Sequence, residues 1–252
     1  MEHVLSGDEA FEQGDFDTAV EHYSQAIESE PADATAYFKR GLAFAEKDEF
    51  QAAEDDYTQA IELGLADATI YYKRGVARQF GGNPEAAIED YTEAIELDPT
   101  NPKAFNNRGI IRQRGGNRDG ALEDYTKAIE LDDSDAFVFN NRGVVWQELE
   151  EYDRAIEDYT RAIELNPLDP RVYNNRGFVW RIKALMVKDY AINDFSKAIE
   201  VAPDFVDAYV NRATALLEAG QDFDAQQDFR KAAELDPSLR FDEAFGSDEP
   251  QG

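Results

Sequence analysis

The sequence predicts an all-α chain, an α-solenoid of seven helix-turn-helix repeats. Three observations carry that reading. Small residues return at a fixed interval at Gly7, Gly41, Gly75, Gly109, Gly143, Gly177 and Ala213, each step 34 residues except the last, of 36. From the second repeat on, the residue before each is arginine, with an aromatic three residues before that arginine. In phase with this series run Ala19, Ala53, Ala87, Ala121, Ala155, Ala191 and Ala225, each followed four residues later by tyrosine or phenylalanine (Tyr23, Tyr57, Tyr91, Tyr125, Tyr159, Phe195, Phe229). A third series is Ala26, Ala60, Ala94, Ala128, Ala162, Ala198 and Ala232, and in five of the seven repeats a proline closes the unit five residues later.

Each element follows from these landmarks. The first helix of a repeat, helix A, opens at pairs such as Asn101-Pro102 and Asp169-Pro170, an N-cap followed by proline at the first helical position. It ends at a turn rich in glycine and acidic residues: Gly14-Asp15, Asp48-Glu49, Gly82-Asn83, Gly116-Asn117, Glu150-Glu151 and Gly220-Gln221. Helix B follows, with apolar residues spaced for one face, as at Tyr91, Ala94, Ile95 and Leu97. Proline then stops it. Glycine or alanine at fixed places lets two helices approach closely, and the large aromatic fills the space between them.

This pattern of aromatic, glycine, alanine, aromatic, alanine and proline over 34 residues resembles the tetratricopeptide repeat family. Counting the glycine as position 8, the resemblance divides residues 1–239 into repeats 1–33, 34–67, 68–101, 102–135, 136–169, 170–205 and 206–239. Residues 240–252 are read as a short capping helix, drawing on Leu239, Phe241 and Phe245, and an acidic disordered tail. The family implies a right-handed superhelix whose A helices line a concave groove, with groove residues mainly at positions 2, 5, 6, 9, 12 and 13. A fold of this kind is a surface more than an activity.

Composition narrows the function. The 25 basic and 54 acidic residues leave a net charge of −29, which disfavours nucleic acid and anionic membranes as partners. No cysteine is present, so disulfides, thiol catalysis and cysteine-ligated metals are excluded. Neither a secretory leader nor a membrane-length apolar run is visible, and a cytoplasmic protein is expected. With two histidines, no glycine-rich phosphate loop and no nucleophile elbow, an enzyme is not expected, nor a cofactor or metal. Acidic runs such as Glu54-Asp55-Asp56 lack calcium-loop spacing and read as solvated faces; the excess acid also suits a salty cytoplasm.

Repeats two to seven carry arginine at position 7 (Arg40, Arg74, Arg108, Arg142, Arg176, Arg212), where the family pattern more often has leucine. The same six carry aspartate at position 23 (Asp56, Asp90, Asp124, Asp158, Asp194, Asp228), while repeat one has Ser6 and His22. The arginines either clamp an acidic ligand or staple helix A to helix B; their joint absence from repeat one favours the staple.

Position 6 reads Lys39, Lys73, Asn107, Asn141, Asn175 and Asn211, and position 5 includes Asn106, Asn140 and Asn174. A row of amides, each both donor and acceptor, suits the backbone of an extended peptide irrespective of its side chains. The ladder resembles the peptide-binding superhelix of O-linked N-acetylglucosamine transferases, without their catalytic domain. The competing reading is a polar surface inherited by repeat duplication; the groove position favours binding. Lys103 and Arg171, with Arg114 and Arg181, add positive charge on the A helices, so a protein or peptide partner with acidic groups or a free C-terminus is expected. The two-carboxylate clamp of chaperone-binding relatives needs asparagine at position 9, which here is Leu42, Val76, Ile110, Val144, Phe178 or Thr214.

Repeat six breaks step, with Leu185, Met186 and Val187 where other turns are polar. They read as a partner contact or as locally buried. Together with the thin cap they motivate the alternative function, a self-assembling scaffold that forms a homo-oligomer through its ends or this insertion. Trp146 and Trp180 are expected as core aromatics between repeats.

Overall fold

The computed structural model describes residues 2–183 and 188–240. All regular structure among them is helical, in two compact units, residues 1–132 and 133–252. The first holds α1 (Glu2–Glu12), α2 (Phe16–Ser29), α3 (Ala34–Glu46), α4 (Phe50–Glu62), α5 (Ala68–Phe80), α6 (Pro84–Leu97), α7 (Pro102–Arg114) and α8 (Arg118–Leu131). The second holds α9 (Ala136–Glu148), α10 (Tyr152–Leu165), α11 (Pro170–Lys183), α12 (Lys188–Val201), α13 (Val206–Glu218) and α14 (Asp222–Leu235). Consecutive helices pack as hairpins, and within each unit every hairpin packs on the next, A helix touching A helix. Leu185–Val187 and the segment expected to form the cap beyond residue 240 lie outside the described residues.

Local chemistry starts and stops these helices where the sequence places the breaks. Asp33, Asp67, Asn83, Asn101, Asn117 and Asp135 each accept a hydrogen bond from a backbone N–H of the first turn. Short hydrogen bonds from Thr18, Thr100 and Ser238 hold the carboxyls of Asp15, Asp98 and Asp236 below the usual range. The A-to-B turn needs one residue in the left-handed region. Gly14, Gly82, Gly116 and Gly220 supply it, but Asp48 and Glu150 adopt φ of 59° and 61° in the same place.

The core is a column of alanines and aromatics. Ala53, Ala87, Ala121, Ala155, Ala191 and Ala225 are wholly buried, as are Tyr57, Tyr91, Tyr125, Tyr159 and Phe195. The glycine of each A helix exists for the aromatic of its B helix. A Cβ on Gly41 would stand 2.8 Å from Cε1 of Tyr57, closer than any side chain tolerates. In the last hairpin Ala213 takes this place, opposite Phe229.

The tryptophans meet the expectation in part: Trp180 packs against the buried cluster of Ala191, Phe195 and, in the next hairpin, Ala215. Both tryptophans are half-buried and sit at the margin of the core: Arg154 lies 4.6 Å over the Trp146 ring, and Trp180 stacks on Tyr190 at 5.3 Å.

Candidate functional site: the face of the A helices

The arginines of position 7 are inward staples. Arg40 donates from Nε and Nη2 to Asp56, both at 2.8 Å. Arg142 does the same to Asp158 at 2.8 and 2.8 Å, and Arg212 to Asp228 at 2.7 and 2.7 Å. The aspartates are almost completely buried, so desolvation is severe and the bidentate fork must compensate it. Burial pushes the Asp56 carboxyl up, against the opposing pull of Arg40. The guanidinium is further pinned by the aromatic three residues before it, as Arg74 over Tyr71 at 5.5 Å and Arg108 over Phe105 at 5.8 Å.

A third partner of these arginines escapes the pairwise pattern. Nη1 donates back to a hydroxyl on helix B of the preceding hairpin: Arg40 to Ser24 at 3.0 Å, Arg74 to Thr58 at 3.2 Å, Arg108 to Thr92 at 3.0 Å, Arg176 to Thr160 at 3.0 Å and Arg212 to Ser196 at 3.0 Å. Each of these five arginines therefore ties its own hairpin together and ties it to the one before. The signal is present in the sequence, displaced by one repeat: position 25 is serine or threonine in repeats one to six and Arg230 in the seventh. Arginine and aspartate are instead missing from the first.

The asparagines occupy the opposite edge of the A helices, all half-buried. In the second unit they interlock. Nδ2 of Asn175 donates to Oδ1 of Asn140 at 3.1 Å, and Nδ2 of Asn211 to Oδ1 of Asn174 at 2.9 Å, so position 6 of one hairpin bonds position 5 of the hairpin before. In the first unit position 5 of the preceding hairpin is Tyr72, and Nδ2 of Asn107 reaches its hydroxyl at 3.3 Å and that of Tyr91 at 3.4 Å. Asn106 and Asn141 are half-buried on α7 and α9.

The expected cations divide. Lys39 is committed to Asp8, Nζ to Oδ2 at 2.6 Å, and Arg181 to Glu218 at 2.9 Å. Arg171 binds Asp169 through Nε and Nη2 at 2.9 and 2.6 Å, which holds that carboxyl below the usual range. Its guanidinium also lies 5.9 Å over the ring of Phe137, an aromatic that is 53% exposed on α9. Lys73 is half-buried and Lys103 exposed, with no ion pair to either among the described residues. Beside the ladder, Asn174 and Asn211 line a depression of about 440 Å³ with Val206, Asp207, Val210 and Leu239.

Under the asparagines runs a second polar layer that the sequence pattern did not single out. The buried tyrosines at position 24 donate to glutamines at position 12: Tyr91 to Gln79 at 2.7 Å, Tyr125 to Gln113 at 3.0 Å and Tyr159 to Gln147 at 2.9 Å. Burial pushes the hydroxyls of Tyr91 and Tyr159 up, so they remain donors.

Packed helix hairpins with a repeated internal staple and a polar ladder on one edge define a helical-repeat interaction module. The chain belongs to the tetratricopeptide repeat family: models of that repeat match residues 7–48, 34–63, 81–116, 102–135, 136–168 and 195–227. Solved structures agree. The C-terminal part of a tetratricopeptide-repeat protein from Cytophaga hutchinsonii is 19% identical, covers 96% of this chain and 98% of its own, and superposes with a TM-score of 0.80. MamA is 26% identical over 71% of this chain and 96% of its own, with a TM-score of 0.62. YrrB, described as a protein of this family with an unusual peptide-binding site, is 24% identical over 72% of this chain and 92% of its own, with a TM-score of 0.62. Among curated proteins no sequence match is found.

Proposed function

We propose that this chain is a non-catalytic interaction scaffold that holds an extended peptide along the edge of its A helices, with the asparagine pairs binding the peptide backbone. The observation that carries this reading is the interlock of Asn175 with Asn140 and of Asn211 with Asn174. Each bond fixes which way both amides face. The Nδ2 group of the earlier asparagine and the Oδ1 of the later one keep their capacity, a donor beside an acceptor, which is the complement of a peptide unit.

Spacing supports the same ligand. Packed helices lie about 8–10 Å apart and an extended chain rises about 3.3 Å per residue, so one rung meets every third residue. Lys73 and Lys103 favour a partner that brings acidic groups or a terminal carboxylate. YrrB, of the same fold, has a peptide-binding site by its description.

The test is a panel of extended peptides of unrelated sequence, read by fluorescence polarisation against the wild type and the Asn140→Ala, Asn174→Ala, Asn175→Ala, Asn211→Ala variant. Loss of about tenfold or more for every peptide that binds is expected, because hydrogen bonds to backbone do not depend on side chains. Unchanged affinities would remove the ladder from the binding site.

A further inference from the structure

At the junction of α6 and α7 the first unit has an opening of about 730 Å³, floored by Ile88 and Ile111 and edged by Pro84, Glu85, Arg112 and Arg114. That volume is in the range of small-molecule and side-chain pockets. One hairpin earlier, 34 residues back, the same place is closed over by two rings, the outer one, Phe80, 64% exposed. There Phe50 at the start of α4 stacks on Phe80 in the last turn of α5, ring centroids 5.5 Å apart. Their counterparts at this junction are Pro84 and Arg114.

A second substitution accompanies the first. At the closed junction Arg78 donates from Nε to Glu54 at 2.8 Å and from Nη1 to Asp90 at 2.9 Å. The counterpart of Arg78 is Arg112, which repeats the inner bond, Nη1 to Asp124 at 2.9 Å. The counterpart of Glu54 is Ile88, and Nε of Arg112 has no acceptor among the described residues. Arg114 likewise has no ion pair among them.

The open junction therefore lacks two things its neighbour contains, an aromatic stack and a carboxylate on the outer face of an arginine. We infer that this cleft is a binding site for an aromatic carboxylate, the C-terminal phenylalanine or tyrosine of a partner polypeptide: the ring takes the place of the Phe50–Phe80 stack over Ile88 and Ile111, and the carboxylate takes the place of Glu54 on Arg112, with Arg114 beside it. A terminal residue fits better than an acidic segment. Glu85 stands on the rim, and a chain of net charge −29 repels a ligand that brings more than one negative charge to it. None of the ladder asparagines lines the cleft, so this site stands or falls apart from the ladder.

The probe is N-acetyl-L-phenylalanine, titrated into the ¹⁵N-labelled protein, with N-acetyl-phenylalanine amide and N-acetyl-aspartyl-phenylalanine amide as the uncharged and side-chain-carboxylate comparisons. Saturable shifts of the Gly82, Gly115 and Gly116 amides are expected, with the free acid bound about tenfold more tightly than either amide. Arg114→Gln should narrow the preference for the acid. The Pro84→Phe, Ile88→Glu, Arg114→Phe variant copies the closed junction of this same chain, so it should keep its melting temperature and lose the shifts. Absence of saturable shifts in the wild type, equal binding of acid and amide, preference for the aspartyl compound, or wild-type binding by the filled variant would each overturn the assignment.

Discussion

Arg212 holds Asp228 by two hydrogen bonds of 2.7 Å and gives its remaining terminal nitrogen to Ser196, one hairpin earlier. One side chain thus couples three helices, and the same triad recurs along each unit. In a repeat protein, where each unit touches only its neighbours, such a residue sets the interface as well as the hairpin.

Removing one partner should be costly. Arg142→Leu leaves Asp158, nearly buried, without its bidentate donor, and a loss of about 3–5 kcal/mol of stability is expected from an uncompensated buried charge. Arg142→Leu combined with Asp158→Leu should recover most of that loss, because the charge is then gone from both sides. Calorimetric melting of the two variants separates these outcomes. A large fall in peptide affinity with an unchanged melting temperature would instead make the arginine a ligand clamp.

Tyr57 is the exception among the buried tyrosines. It is wholly buried and its hydroxyl has no partner, because position 12 of its hairpin is Ala45 where Tyr91, Tyr125 and Tyr159 find glutamine. Tyr57→Phe is expected to be neutral or stabilising, since it deletes an unsatisfied polar group, and Tyr91→Phe to cost about 1 kcal/mol. Ala45→Gln should stabilise by about the same amount. Equal destabilisation by the two phenylalanine variants in urea titrations would disprove the distinction.

The left-handed turn residues offer a parallel comparison. Asp48 and Glu150 hold φ near 60° where the other turns use glycine. Asp48→Gly and Glu150→Gly relieve a clash worth about 1–2 kcal/mol and loosen the unfolded chain by somewhat less. A net gain of about 0.5 kcal/mol each is expected, read as a rise in melting temperature. Gly116→Ala, at a turn residue whose φ is 82°, should move it the other way.

What the sequence makes legible follows from what is covalent. The period, the helix breaks and the Arg40–Asp56 type of pair all lie within one repeat, at fixed separation, so aligning the repeats exposes them. The link from Arg40 to Ser24 spans two repeats and shows only when one column is shifted against another. Asn107 meets Tyr72 and Tyr91 where Asn175 meets Asn140, a difference set by what the preceding hairpin presents at position 5. The aromatic gap at Pro84 and Arg114 is likewise plain only after Phe50 and Phe80 are seen stacked.

Charge gives the last prediction. Exposed pairs such as Lys127 with Glu130, Arg161 with Glu164, Lys197 with Glu200 and Lys231 with Glu234 stabilise their helices by about 0.2–0.5 kcal/mol apiece and weaken in salt. Against them stands the repulsion of a net −29. Two unit charges about 20 Å apart in water repel by roughly 0.2 kcal/mol, and the excess acid makes hundreds of such pairs, which folding brings closer together. Screening shortens their reach from about 30 Å at 0.01 M to about 3 Å at 1 M, while the buried arginine staples are shielded from it. The melting temperature should therefore climb as sodium chloride rises across that range, and the climb should persist in Arg142→Leu, Asp158→Leu. A flat or falling profile would mean that local pairing outweighs the long-range field.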